Sequence, residues 1–297
     1  GGGRGGSASP LLVGREDERE AIVRAAHQVL TTSQGMILTL EGDAGVGKTR
    51  LARWAAEQLE AGEGWRVAMG SFHREGERGW RGVREALEGA LSTGDLSEGA
   101  LRDRLNALMT ECGLTSARDF ELMLAFLRPA DAQDVKSGPG GDDRSRNRAQ
   151  RLLALLFRLL EGITRQQPLL LVINDLHWAG PETSAFVEYL AHELTQRPTK
   201  LLLIITMQPE HHDGGAPISE MLGEISHHHG TSVQRRVLGP LTEEASKLLV
   251  TSMLQASREL VQELTQRAGG NPMHLVQLVR YLRDENLLEP SPHGWRA

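Results

Sequence analysis

Gly42–Thr49 reads GDAGVGKT. This fits the spacing G-x-x-x-x-G-K-[ST], and each fixed position has a chemical reason. Glycines keep side chains out of the turn, so that backbone N–H groups converge on phosphate oxygens. A helix starting at the end of the turn adds its positive pole at the same point. Lys48 can reach the β- and γ-phosphates, and the Thr49 hydroxyl can ligate Mg²⁺. The flanks agree. The apolar run Met36–Glu41 reads as a buried strand, and RLARWAAEQLEA (Arg50–Ala61) reads as a helix closed by Gly62. A strand, glycine turn and helix in this order separate a phosphate cradle from a chance glycine turn. Gly42, Asp43, Ala44, Gly45, Val46, Gly47, Lys48, Thr49 and Arg50 are therefore the candidate nucleotide contacts.

Outward from this unit, strands alternate with helical patterns. WRVAMGS (Trp65–Ser71), the apolar run after Pro168, KLLLIITM (Lys200–Met207) and SVQRRVL (Ser232–Leu238) read as further strands. Helical patterns lie between them, around Arg81–Leu91, Ala100–Cys112, Ala117–Leu127 and Pro181–Leu194 and in an apolar helix before Pro168. Such alternation predicts an α/β fold, a five-stranded parallel sheet with helices on both faces. From Thr242 onward the pattern is helical only, in three amphipathic segments, which predicts a small second domain beginning near Gly239-Pro240. The expected organisation is a flexible linker over residues 1–10, a nucleotide-binding domain over 11–238, a mobile loop over 129–148, and an all-helical domain over 239–297.

Composition narrows the class. Charged residues make up 24% and the net charge is -6, which argues against a large nucleic-acid-binding surface. The single cysteine, Cys112, excludes an internal disulfide and fits a reducing, cytoplasmic setting. No apolar run reaches the roughly 18 residues that span a bilayer.

The stretch PLLLVINDLHWAGPE (Pro168–Glu182) carries the main question. A carboxylate at the end of a second core strand usually supports Mg²⁺ in nucleotide hydrolysis. Here that place is Asn174, followed by Asp175. Asparagine keeps the shape and loses the charge. Since hydrogen bonds to charged groups are worth roughly 1.5–3 kcal/mol against about 1 for neutral ones, metal support weakens about tenfold without vanishing. Two readings stay open: Asp175 is the general base beside an impaired metal site, or Asp175 takes over the metal and leaves no base.

Taken together, LVGREDE (Leu12–Glu18), EGDAGVGKTRL (Glu41–Leu51), NDLHWAGPE (Asn174–Glu182), GPLTEEA (Gly239–Ala245) and GGNPMHLVQLV (Gly269–Val279) resemble the STAND class of P-loop ATPases. The resemblance is to the bacterial branch found in maltose-regulator-type and LuxR-like activators and fused to kinases or cyclases. It implies an ASCE-type sheet, with the phosphate-loop strand between its neighbours, followed by a helical lid. It implies ATP or ADP with Mg²⁺ as ligands, and a switch that oligomerises with ATP. Val13, Gly14 and Arg15 match the entry motif against the adenine, and Pro272 matches the proline covering the base. The family commonly has Asp at the place of Asn174 and Arg at the place of Gln208, in a T-x-R-P-E run that here reads Thr206-Met207-Gln208-Pro209-Glu210. Both departures remove charge at the γ-phosphate end.

The expected protein is thus an adenine-nucleotide switch with slow or absent hydrolysis, a core of a larger protein with effector and sensor domains. The rivals are a competent ATPase using Asp175, a scaffold with a vestigial pocket, and an origin-recognition-type ATPase, which the acidic balance disfavours. The groups His211-His212 and His227-His228-His229 lack the spacing of a metal site. Cys112 reads as a small core residue, Trp178 as packing on the following helix, and DDRSRNR (Asp142–Arg148) as a solvated charge cluster.

Overall fold

Apolar runs bounded by glycine and polar residues become five parallel strands: β1 (Met36–Glu41), β2 (Arg66–Ser71), β3 (Leu169–Asn174), β4 (Leu201–Met207) and β5 (Ser232–Val237), in the order β2-β3-β4-β1-β5. The chain is described from a computed structural model, over residues 11–62, 64–74, 79–129, 143–208, 222–224, 232–291 and 294–296. β1, β3 and β4 are buried along their whole length. That is the signature of central parallel strands covered on both faces. The phosphate-loop strand β1 lies between β4 and β5, as expected.

Helices α1 (Glu16–Thr32) and α2 (Lys48–Gly62) cover one face. Their alanine-rich stripes meet Leu38, Leu40, Val172 and Ile204. The other face carries α3 (Arg81–Leu91), α4 (Glu98–Glu111), α5 (Ala117–Leu127), α6 (Asp143–Gln166) and α7 (Pro181–Gln196). These build the largest core cluster, with Trp80 edge-on to Phe126 and Phe186 at centroid distances of 5.5 and 6.1 Å. A third cluster is formed by α8 (Glu243–Met253), α9 (Arg258–Ala268) and α10 (Pro272–Asp284), and Val13 from the entry segment belongs to it. Ser97, Ser116, Thr242, Ser257 and Asn271 each cap a helix by accepting a backbone N–H.

Two expectations change. Residues 143–148, which their polar pattern assigns to a loop, are the first turns of α6. The polar residues simply lie outside the packed stripe of a long helix, and its apolar face begins only at Leu152. The tail is not helical to its end: β6 (Glu289–Ser291) and β7 (Gly294–Arg296) form an antiparallel ribbon. It is tied to the α8–α9 connection by Trp295 N–H donating to Gln255 O (2.7 Å) and Ser257 N–H to Trp295 O (2.8 Å). Three-residue strands carry too little periodicity to be read from sequence. The linker 1–10, both histidine groups, residues 130–142, Pro209 and Glu210 lie outside the described residues. No helix among the described residues is long and apolar enough to cross a membrane.

Candidate functional site

The turn after β1 passes directly into α2, so the loop sits at the carboxyl edge of the sheet, where α/β ligand sites form. Beside it lies a cavity of about 440 Å³, within the range of small-ligand pockets. Its floor is the loop and the first turn of α2, Ala44 to Arg50. One wall is the entry segment, Leu11 to Val13 with Arg15. The roof is apolar, from Leu241 and Leu249 near α8 and from Pro272, Met273 and Val276 on α10. Asp175 and Gln208 close the far corner.

The loop's carbonyls are all engaged. Lys48 Nζ donates to Gly42 O (2.7 Å) and Asp43 O (2.8 Å). Asn271 Nδ2 donates to Ala44 O (3.0 Å), Met273 N–H to Gly45 O (3.2 Å), and Arg15 Nη2 to Val46 O (3.0 Å). The N–H of Leu51 takes Gly47 O at 2.9 Å, as the first bond of the helix. Arg15 is 5% exposed, and it also reaches Gly239 O at 2.6 Å and Glu18 at 3.2 Å. A buried guanidinium with this many acceptors joins the entry segment, the loop and the start of the last helical unit.

Position 45 requires glycine twice over. Its φ is +81°, and a Cβ there would meet Asn271 Oδ1 at 2.7 Å and Met273 Cβ at 2.8 Å. Gly14, at φ +63°, turns the entry segment toward α8, where a Cβ would meet Ala245 Cβ at 2.4 Å.

At the far corner, β3 ends on Asn174, 3% exposed. The Thr206 hydroxyl donates to Asn174 Oδ1 (3.4 Å) and accepts from Asp175 N–H (2.9 Å). Asp175 has φ +56°, a left-handed conformation rarely adopted by a residue with a side chain. Gln208 N–H donates to His177 Nδ1 at 3.4 Å. Burial raises the Asp175 carboxyl above its ordinary value, opposed by the nearby Lys48 and His73. Burial lowers the Lys48 ammonium, opposed by Asp175 and Asp43. Both shifts favour neutral forms because burial outweighs the mutual attraction of the two opposite charges in one cavity wall.

Of the residues singled out from sequence, the structure brings Val13, Arg15, Ala44 to Arg50, Asp175, Gln208 and Pro272 around one cavity. Gly14 faces α8 instead, while Gly42 and Asp43 hold Lys48 from behind. Asn174 is beneath Asp175, turned to Thr206 rather than lining the cavity. Sequence reasoning missed Asn271, Met273, Leu241, Leu249 and Val276. For Asn271 a signal existed: Asn before Pro272 is a helix N-cap followed by a first-turn proline. The apolar roof had none beyond helical periodicity.

Among the described residues no group of three His, Cys, Asp or Glu could hold a metal by itself. Magnesium commonly needs only one or two protein groups beside phosphates. Thr49 and Asp175, both on the cavity wall, suit that arrangement.

A family profile described as AAA ATPase domain matches residues 11–205. An uncharacterized protein of Rhizobium meliloti (strain 1021), R02095, is 24% identical over 281 residues, 91% of this chain and 25% of that protein. The chain thus spans about a quarter of the length of this relative. Among solved structures, Cdc6p from Pyrobaculum aerophilum is similar with a TM-score of 0.53 and 16% identity, covering 94% of this chain and 65% of that one. The Aeropyrum pernix ORC1 protein, solved in complex with DNA, has a TM-score of 0.53 and 16% identity, covering 94% and 62%. At this identity the likeness is one of fold.

Proposed function

The chain belongs to the AAA ATPase domain family, and from that premise we propose that it is an adenine-nucleotide-binding switch of the STAND type that hydrolyses ATP slowly or not at all. One observation carries the reading. The cavity is floored by the phosphate loop and roofed by α10 and the start of α8, so a ligand filling it touches both units at once. Occupancy and the seating of the helical unit are then linked, because a ligand shifts an equilibrium by its differential affinity for the two states. The helical unit, residues 239–297, acts as the lid. Leu12, Val13, Pro272 and Met273 offer an apolar slot of the kind that takes a purine base, and Lys48 and the loop take the phosphates. Bound Mg²⁺, held by Thr49 and Asp175 together with the phosphates, would neutralise the β- and γ-oxygens.

Slow hydrolysis rests on charge. Asn174 and Gln208 are neutral where the STAND pattern has a carboxylate and an arginine. The second reading, a competent ATPase, draws support from Asp175 itself. It lines the cavity near Lys48, and burial pushes it toward the range useful to a general base. Effector and sensor domains of a longer protein, nucleotide-dependent oligomerisation and a cytoplasmic location belong to the same proposal.

The test titrates a fluorescent ATP analogue into the protein and into Lys48→Ala, with phosphate release followed in parallel. Saturable binding lost in the variant is expected, with on the order of one turnover per several minutes or slower. Equal signals from both proteins would remove nucleotide binding altogether. Brisk turnover would select the ATPase reading.

A further inference from the structure

Three successive peptide units of the phosphate loop are held from outside the loop. Their carbonyls, at Ala44, Gly45 and Val46, accept from Asn271 Nδ2, Met273 N–H and Arg15 Nη2. In a planar trans peptide the C=O of one residue and the N–H of the next point in opposite directions. Fixing these three oxygens therefore fixes the N–H groups of Gly45, Val46 and Gly47. Among the described residues those three N–H groups make no hydrogen bond. They are the donors that a phosphate would use.

Asn271 is suited to this by its cap. Its Oδ1 accepts from Met273 N–H (3.0 Å) and His274 N–H (3.3 Å). The amide therefore has one allowed orientation, with Nδ2 toward Ala44, 227 residues away in sequence. Arg15 anchors the other side by holding Val46 O and Gly239 O together, the latter at the start of the helical unit.

We propose that Asn271 and Arg15 are positioning residues for phosphate binding: they tie back the loop's carbonyls, so that the anion cradle is fully formed only when α10 is seated. Neither needs to touch the ligand. This rests on the nucleotide-binding reading above and specifies how lid and phosphate communicate. By linkage, the factor by which seating raises phosphate affinity is the factor by which phosphate favours seating. The base slot is not part of the device. The effect therefore grows with the number of phosphates the cradle holds.

The test is calorimetric titration of the protein with ADP and with AMP, in Mg²⁺, for wild type, Asn271→Ser and Arg15→Lys. Serine keeps a helix N-cap without charge but is too short to reach Ala44 O. Lysine keeps the charge of Arg15 but is one bond shorter, so its ammonium does not reach the point from which Nη2 serves both Val46 O and Gly239 O. Each lost tie should weaken ADP about five- to tenfold and AMP less than about twofold, so the ratio of the two affinities falls. A general loosening of the fold would move both ligands together and leave the ratio unchanged, which overturns the proposal. So would an unaltered ADP affinity in either variant that melts like wild type. Failure of wild type itself to bind ADP would instead strike the nucleotide-binding reading, and the proposal with it.

Discussion

Thr206 and Asp175 are joined by a hydrogen bond of 2.9 Å, from the Asp175 N–H to the Thr206 hydroxyl oxygen, and the same hydroxyl turns its proton to Asn174 Oδ1. One side chain on β4 thus holds both residues that follow the apolar run of β3. It fixes the left-handed turn that sends the Asp175 carboxyl into the cavity while Asn174 stays below it. Thr206→Val has nearly the same shape and makes neither bond. It should cost about 1–3 kcal/mol, measured as a lower denaturation midpoint with an unchanged denaturant slope.

On the proposed reading, charge added at the γ-phosphate end should raise turnover. Asn174→Asp combined with Gln208→Arg is expected to raise phosphate release by about tenfold or more, since an arginine there can act on transition-state charge. ATP affinity should change far less. A double variant that binds ATP and releases phosphate no faster would show that the two neutral residues do not limit hydrolysis.

Gly45→Ala meets two obstacles together. A side chain at φ +81° is strained, and its Cβ would push against Asn271 and Met273. The expected loss is about 1–3 kcal/mol of stability, with α10 displaced from the loop. Hydrogen exchange should then show faster exchange in the first turn of α10 than in α2, whereas uniform acceleration would mean global unfolding only.

The Lys48 ammonium titrates below its ordinary range because burial outweighs the attraction of Asp175 and Asp43. The folded state therefore binds fewer protons than the unfolded one between the lowered and the ordinary lysine value. Stability contributed by this group rises with pH across that window. Asp175→Asn removes the opposing charge, so the Lys48 midpoint should fall further and the window should widen downward. Carbon-13 NMR of labelled lysine side chains would read this shift. An upward or null displacement would show that Asp175 is not the charge facing Lys48.

Trp80 is buried at 6% exposure between Phe126 and Phe186, yet its indole N–H has no hydrogen-bond partner among the described residues. Its contribution is packing. Trp80→Ala should cost about 3–5 kcal/mol, and Trp80→Phe much less, because no hydrogen bond is lost. Chemical denaturation of both variants checks the difference.

The candidate site was unevenly legible. GDAGVGKT announced its own geometry, because a glycine turn between strand and helix is local in sequence. Asp175 is located as the end of an apolar run and Gln208 by resemblance to T-x-R-P-E, and which of Asn174 and Asp175 faces the cavity depends on one residue adopting φ +56°. Resemblance places Arg15 in the entry motif against the base. It does line the cavity, and its guanidinium also holds carbonyls that lie 31 and 224 residues away, which resemblance does not tell. The charged start of α6 reads as loop in the sequence, since charge lowers apparent periodicity without breaking a helix.

The sequence by itself determined the five strands of the main sheet, most of the helices and the phosphate loop, since each follows from spacing within about twenty residues. Tertiary structure decided the order β2-β3-β4-β1-β5, the ribbon of β6 and β7, and the ties from Asn271 and Arg15 to the loop. The physical reason is separation along the chain. A turn or a helix is encoded by neighbours, whereas a donor meets an acceptor two hundred residues away only after the intervening cores have packed.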